Sequence, residues 1–212
     1  ISMATGSSPV VNISAPVVAQ GAQTWTVTDA AQALNVSGAL TGSGNVTKAG
    51  AGTLTLSAPA SGYTGTFTVS SGTVALTSPT ALSGIVADPR AGAPVVLSGG
   101  AFYYNGAAST ISNNLTLAGG TLSAGTANQI HSGDVIVQAS TTSTINLREN
   151  NSAVTTTAAR NINFTGALSG TGGFNLDSID TATAGNQLSG TLTINNAAST
   201  WSGPLGLTRG TV

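Results

Sequence analysis

Cysteine is missing from the 212-residue sequence, and histidine and charged residues are scarce. Without cysteine no disulfide can brace the fold, and with a single histidine, His131, a zinc site built from Cys and His ligands is excluded. Only 5% of the residues are charged, against about 25% in ordinary soluble proteins, and the five basic residues are scattered. Electrostatic binding of nucleic acid needs clustered Lys and Arg. We therefore expect no nucleic-acid partner, no metal and no cofactor.

The low charge also affects the association of one copy of the protein with another. The formal net charge is −1, so little repulsion would hold copies apart, and we expect self-association or packing with other surface components. No apolar run approaches the ~18 residues of a membrane-spanning helix, and the start lacks the pattern of a signal peptide. We expect no membrane span in this segment. Ile1 and the abrupt end at Val212 lead us to expect an excerpt of a longer chain.

The sequence is instead rich in glycine and in short β-type words. Segments such as Thr53–Leu56 (T-L-T-L) and Thr73–Leu76 (T-V-A-L) alternate apolar and polar residues with a period of two, and Gly, Ser and Asn separate them. Words this short that return at intervals of about 10 to 20 residues are typical of a β-solenoid, with the apolar face inward and threonine outward. No segment has the 3.6-residue period of a helix. We predict an all-β fold.

Regular spacing predicts the size of one coil. Val95, Leu115 and Val135 begin similar words, and each is separated from the next by the same interval of about 20 residues. A coil of that length predicts a β-helix of about ten coils. We interpret residues 1–23, which contain two prolines, as an edge segment, and residues 24–212 as one continuous solenoid. The proline-containing stretch Asp88–Pro94 is expected to be a turn or a protruding loop.

An internal repeat supports this interpretation. Residues 34–46 align without a gap on residues 162–174, with apolar residues on apolar residues. Three glycines, Gly38, Gly42 and Gly44, match three glycines of the second copy, which are Gly166, Gly170 and Gly172.

The segment from Gly42 to Leu76 also carries a family resemblance. It reads G-S-G-N-V-T-K-A-G-A-G-T-L-T-L-S and later Y-T-G-T-F-T-V-S-S-G-T-V-A-L. This resembles the autotransporter-associated β-strand repeat of bacterial secreted passengers, which Gly166–Thr211 matches only loosely. The resemblance implies a right-handed parallel β-helix in a large secreted or cell-surface protein associated with the outer membrane. The motif is architectural, so the resemblance implies no catalytic residues.

We therefore expect a structural segment that forms a rigid stalk, a fibre or the body of an adhesin. The alternative is a module that binds a glycan, another surface or ice. A less favoured alternative is a polysaccharide-degrading β-helix enzyme, which would need paired carboxylates. Asp177 and Asp180 form the one close pair, and in a strand their odd spacing would place them on opposite faces. We expect no enzyme, no catalytic residue, and a corner position for His131.

Three consecutive aromatic residues form the one candidate for surface contact. If Phe102, Tyr103 and Tyr104 lie in a strand, at least one ring must point outward. An outward ring could contact a sugar or a neighbouring subunit. The opposing interpretation is that these rings cover the end of a coil or pack under the neighbouring loop.

Overall fold

In the computed structural model, residues 1–6, 9–59, 62–82, 92–106, 109–147, 160–177 and 190–209 are described. Over these ranges the chain forms 23 short strands and no helix. Every strand pairing is parallel. Neighbours in a sheet come from successive passes of the chain. The predicted all-β parallel β-helix is therefore confirmed.

The strands lie on three sides, which the chain visits in turn. The first sheet contains β1 (Ser2–Met3), β4 (Gln23–Val27), β7 (Val46–Ala49), β9 (Phe67–Val69), β11 (Gly92–Leu97), β14 (Asn113–Leu117), β17 (Val135–Val137) and β20 (Leu168–Gly170). The second sheet contains β2 (Val10–Ile13), β5 (Ala33–Val36), β8 (Thr53–Leu56), β10 (Thr73–Leu76), β12 (Ala101–Tyr104), β15 (Thr121–Ser123), β18 (Thr142–Asn146), β21 (Gly173–Asp177) and β23 (Leu205–Arg209). The third side has two parts, one with β3 (Val17–Val18) and β6 (Leu40–Thr41), the other with β13 (Ser109–Ile111), β16 (Gln129–His131), β19 (Ile162–Phe164) and β22 (Leu192–Ile194).

The register of the first sheet gives the length of a coil. Val95 pairs with Leu115, and Leu115 pairs with Val135, so one coil closes in about 20 residues, as predicted. Other coils are longer, because Phe67 pairs with Val95 and Val135 pairs with Leu168, at wider separations in the sequence. The longer coils include residues 83–91 and 148–159, which lie outside the described ranges. The strands thus keep their register while coil length varies between them.

The core is built from inward columns of apolar side chains. In a strand alternate residues face the same way, and parallel pairing in register stacks like positions from coil to coil. On the first sheet this makes one buried column, whose members are Val46, Phe67, Val95, Leu115, Val135 and Leu168. Thr53 and Thr73 pair on the outer face of the second sheet and stay partly exposed. The alternation seen in the sequence is therefore the division between core and surface.

Glycine is required where one corner lies directly on the corner of the coil below. Gly42 and Gly170 have positive φ angles of 95° and 100°. A Cβ at Gly42 would meet the carbonyl oxygen of Ala19, and a Cβ at Gly170 would meet that of Val137. Both conditions exclude an ordinary side chain.

The two copies of the internal repeat give these glycines matching surroundings, but on different sides of the helix. Leu34, which opens the first copy, lies in the second sheet, whereas Ile162, which opens the second copy, lies on the third side. The repeated unit is therefore a strand, a corner and the next strand. It can occupy any two successive sides because their corners have similar geometry.

The turn expected over Asp88–Pro94 is wrong for its last three residues, which lie in β11. Pro94 fits because the register shifts between Gly92 and Val95, and a bulge removes the need for an N–H donor there. The shift is compensated by Asn113, whose buried Nδ2 donates to the carbonyl oxygens of Leu82 at 3.0 Å and Ala93 at 2.8 Å. Asp88 itself lies outside the described residues.

Residues 1–23, expected to be an edge segment, supply the outermost strands of the sheets, β1, β2 and β3. The second sheet, which has most strands among the described residues, has nine. The number of coils, about ten, stays a prediction. Right-handedness also stays a prediction, although connections between parallel strands of one sheet take that hand in nearly all proteins.

We predict that Gly42→Ala destabilises the protein more than Gly6→Ala. Both glycines have positive φ, but a Cβ at Gly6 would have nothing within 4 Å. Gly6→Ala should therefore cost only about 1 kcal/mol of backbone strain, whereas Gly42→Ala adds a backbone clash and should cost more than about 2 kcal/mol. Urea denaturation of both variants would measure this. Equal losses would contradict the stacked-corner explanation.

Candidate functional site

The segment that carried the family resemblance contains a buried lysine. Lys48 lies in β7, paired with Trp25 in the coil before and Val69 in the coil after. Its alternation places it in an inward column, and it is fully buried. The aliphatic part of the side chain therefore takes the place of a core residue, while the ammonium group must find acceptors inside the protein.

The acceptors are backbone carbonyl oxygens at the corner that follows β7. Lys48 Nζ donates to the carbonyl oxygens of Ala49 and Gly50 at 2.9 Å each, and to that of Ser71, in the next coil, at 3.2 Å. An ammonium group has three donors, so the three bonds use all of them. Burial lowers the pKa of Lys48 from 10.5 to about 8. Lys48 therefore ties two successive coils together through their corner carbonyl groups.

Two glycines make room for this lysine. Gly50 turns the corner with φ +77°. A Cβ on Gly72 would lie 2.8 Å from Lys48 Nζ and would also meet the carbonyl oxygens of Gly50 and Gly52. The motif K-x-G-x-G (Lys48 to Gly52) therefore packs directly against Gly72, the glycine that follows T-V-S-S in the next coil.

Tyr63 makes a second buried contact between coils. It forms an isolated parallel bridge with Gly42, and its ring is fully buried edge-on to Phe67, with centroids 6.3 Å apart. Its hydroxyl oxygen lies 2.9 Å from the carbonyl oxygens of both Gly44 and Thr66, and its single proton can be donated to either. Burial raises the pKa of Tyr63 to about 12, so the hydroxyl stays a donor. Tyr63, which lies in the segment with the family resemblance, thus links two successive coils.

A comparison with protein families identifies the same segment. Residues 46–76 match the family described as passenger-associated-transport-repeat. This confirms the resemblance found in the sequence. Comparison with curated proteins and with solved structures gave no match. The matched residues run from β7 to β10 and include Lys48, Tyr63 and Gly72.

The family match suggests a passenger segment of an autotransporter, a protein that is secreted or exposed at the cell surface. The repeat is a structural element of passengers and is not known as an enzyme. Among the described residues no helix is long and apolar enough to cross a membrane.

The three aromatic residues of β12 are placed differently from one another. Phe102 and Tyr104 are buried in the core, and Tyr103 is partly exposed. Tyr103 pairs with Ala75 on the outer face of the second sheet, and partial burial raises its pKa. Within this triplet, Tyr103 alone offers a ring to a partner.

The carboxylate pair considered in the sequence cannot be seen as a pair among the described residues. Asp177 ends β21 and is buried, and Asp180 lies outside the described residues. Asp134 accepts a hydrogen bond from the backbone N–H of Ala167 at 2.9 Å, which joins two coils. Within the described ranges no three His, Cys, Asp or Glu residues form a group that could hold a metal ion.

The corner position expected for His131 is wrong, because this histidine is the last residue of β16 and points into the core. It is fully buried, packs edge-on against Phe164 at 5.8 Å between centroids, and places Nε2 3.4 Å from Gln129 Oε1. Burial lowers its pKa from 6.5 to about 4. Its position follows from strand alternation, because Ile111 and Phe164, its ladder neighbours, are also core residues.

Sequence reasoning did not find the role of Lys48, which it treated only as one of the scattered basic residues. The signal was present in V-T-K-A, where Lys48 shares the alternation phase of Val46. A single lysine at an inward position, followed by G-x-G, indicates a buried ammonium group that binds corner carbonyl groups.

We predict that Lys48→Met destabilises the protein by about 1 to 3 kcal/mol, because the methionine fills the core space but leaves corner carbonyl groups without a donor. Thr47→Met, on the outer face of the same strand, is the matched control and should change stability by less than about 0.5 kcal/mol. Urea denaturation at pH 7 is the measurement. A Lys48→Met variant as stable as the control would refute this role.

We also predict a loss of stability in weak acid that depends on His131. The folded state holds this histidine with a pKa of about 4, and the unfolded state with one near 6.5. Its neutral form is thus favoured by folding, and stability is lost as the pH falls from about 6.5 to about 4, by roughly 3 kcal/mol in all. Urea midpoints across this range would measure it. His131→Phe should flatten the profile there, and an unchanged slope would assign it to other groups.

Proposed function

We propose that this chain is a rigid β-helical segment of an autotransporter passenger, serving as a stalk, fibre or adhesin body at the surface of a bacterium with an outer membrane. The observation that carries the proposal is the match of residues 46–76, in which buried Lys48 and Tyr63 link two successive coils. A segment built this way contributes length and stiffness.

The mechanism of such a segment is mechanical. Backbone ladders run along the rod through eight strands of the first sheet and nine of the second, and these two sheets would carry force along the axis. Lys48, Tyr63 and Asn113 add side-chain hydrogen bonds to backbone carbonyl oxygens near the corners. The rod can therefore project whatever adjoins it without a catalytic step.

The proposal is tested on the full-length protein in its own bacterium. We expect antibodies against residues 1–212 to label intact cells, and the released protein to appear as rods in negative-stain electron microscopy. A periplasmic protein that is labelled only after permeabilisation is the control. Labelling of the segment only after permeabilisation would overturn the surface location, and compact particles would overturn the rod.

A glycan-binding module is the second candidate, and the partly exposed ring of Tyr103 favours it. Tyrosine rings stack on apolar sugar faces, and this ring lies on an outer sheet face that a partner could reach. A glycan array that shows binding by the chain, lost in Tyr103→Ala and kept in Thr53→Ala, would support this role. Absence of any glycan signal would leave the mechanical function.

A further inference from the structure

The outer face of the first sheet carries a continuous ladder of β-branched side chains. Parallel pairing places one outward residue from each coil beside the next, and the register shift in β11 lies before Val96. We call this surface the ladder face, and its central column includes Thr24, Thr47, Thr68, Val96, Thr116 and Ile136. Ile136 is 48% exposed, and Thr24 is exposed as well.

The ladder face has no charge. In the eight strands of this sheet, all of them described, the one charged side chain is Lys48, which points inward. Asp134, just before β17, has a carboxylate oxygen engaged by the backbone N–H of Ala167. Protein surfaces normally carry about 25–35% charged residues, which keep flat sheets apart. The strands of the ladder face carry no outward charged side chain that would keep another sheet from packing on it.

The other two sides differ. The second sheet carries the large ring of Tyr103 on its outer face, beside the small side chain of Ala75 in the neighbouring coil. The longer part of the third side has only four strands, with Thr110 and Ile130 in its outer column. The ladder face is therefore the long side whose outer column consists of Thr, Val and Ile in six successive strands.

The chemistry of the face selects its partner. A charged surface docked here would lose hydration and gain no counter-charge, which is costly. The same face of a second copy has no charge to lose and presents the same methyl and hydroxyl groups. Eight strands at about 4.8 Å spacing and about 13 Å of strand length give roughly 900 Å² for two copies, close to the ~1,000 Å² of a specific interface.

We propose that the ladder face pairs with the ladder face of a second copy, with the two sheets face to face and the two rods side by side. Val96 and Ile136 supply apolar contact across the pair, and the threonine hydroxyl groups can hydrogen-bond across it. The modest area predicts a reversible dimer with a Kd in the micromolar range or weaker, on the order of 10⁻⁶ to 10⁻⁴ M. This pairing rests on the proposed function and names a partner for it. A rod that stays monomeric would overturn the pairing but leave the proposed surface role unaffected.

A matched pair of double variants tests the proposal. Thr116→Lys with Ile136→Lys puts two charges on the ladder face, and Thr110→Lys with Ile130→Lys puts the same two charges on the third side. Ile130 and Ile136 are both exposed centres of three-residue strands, so the variants should fold equally well. Sedimentation equilibrium over a concentration series gives the association constant, and circular dichroism confirms the fold.

We expect the ladder-face variant to self-associate at least tenfold more weakly than the unchanged chain, and the third-side variant to match the unchanged chain. A chain that stays monomeric at about 10⁻⁴ M, or equal effects of the two variants, would overturn the proposal. Because the chain has no cysteine, Thr116→Cys and Thr110→Cys add a second readout. Cross-linking of the Thr116→Cys variant alone supports the pair, whereas association without it assigns contact to another surface.

Discussion

The structure depends on a register that repeats from coil to coil. Each strand finds its partner one full turn later, and the pairing stays in step although the coils differ in length. Register matters because a slip by one residue would turn every side chain of a strand from the core to the surface. The buried column through Val46, Phe67 and Leu115 shows that these strands keep the same register from coil to coil. The longer coils place extra residues between strands, where they leave the ladder intact, and β11 absorbs one extra residue in the bulge between Gly92 and Val95.

Corners are the weak points of such a ladder, because the chain turns there and carbonyl groups are left inside. The protein meets this in two ways. Glycines such as Gly42 let one backbone lie directly on another, and buried side-chain donors bind backbone carbonyl groups near the corners. Lys48, Tyr63 and Asn113 are three such donors, one each of ammonium, hydroxyl and amide. These three buried polar residues therefore link successive coils.

The same regularity gives the outside its character. Stacking in register turns isolated threonines into continuous flat columns, so the surface consists of sides with distinct chemistry. Tyr103 marks one side and the uncharged ladder face marks another. Chemical character in such a molecule belongs to whole faces, because stacking in register sets many small side chains next to one another. This agrees with a repeat that is structural in autotransporter passengers.

The sequence by itself determined the all-β fold, the alternation within most of its short strands, the length of the shorter coils and the resemblance of one segment to a passenger repeat, because alternation and spacing are local and repeat. It could not place Pro94 in a strand or His131 in the core, since a bulge and a third side depend on neighbouring coils. It also could not show that Lys48 links two coils, because the carbonyl group of Ser71 comes from the next turn. Tertiary structure alone decided those contacts and joined Thr47, Thr68 and Val96 into one face, since residues so far apart in the chain meet only when the coil has closed.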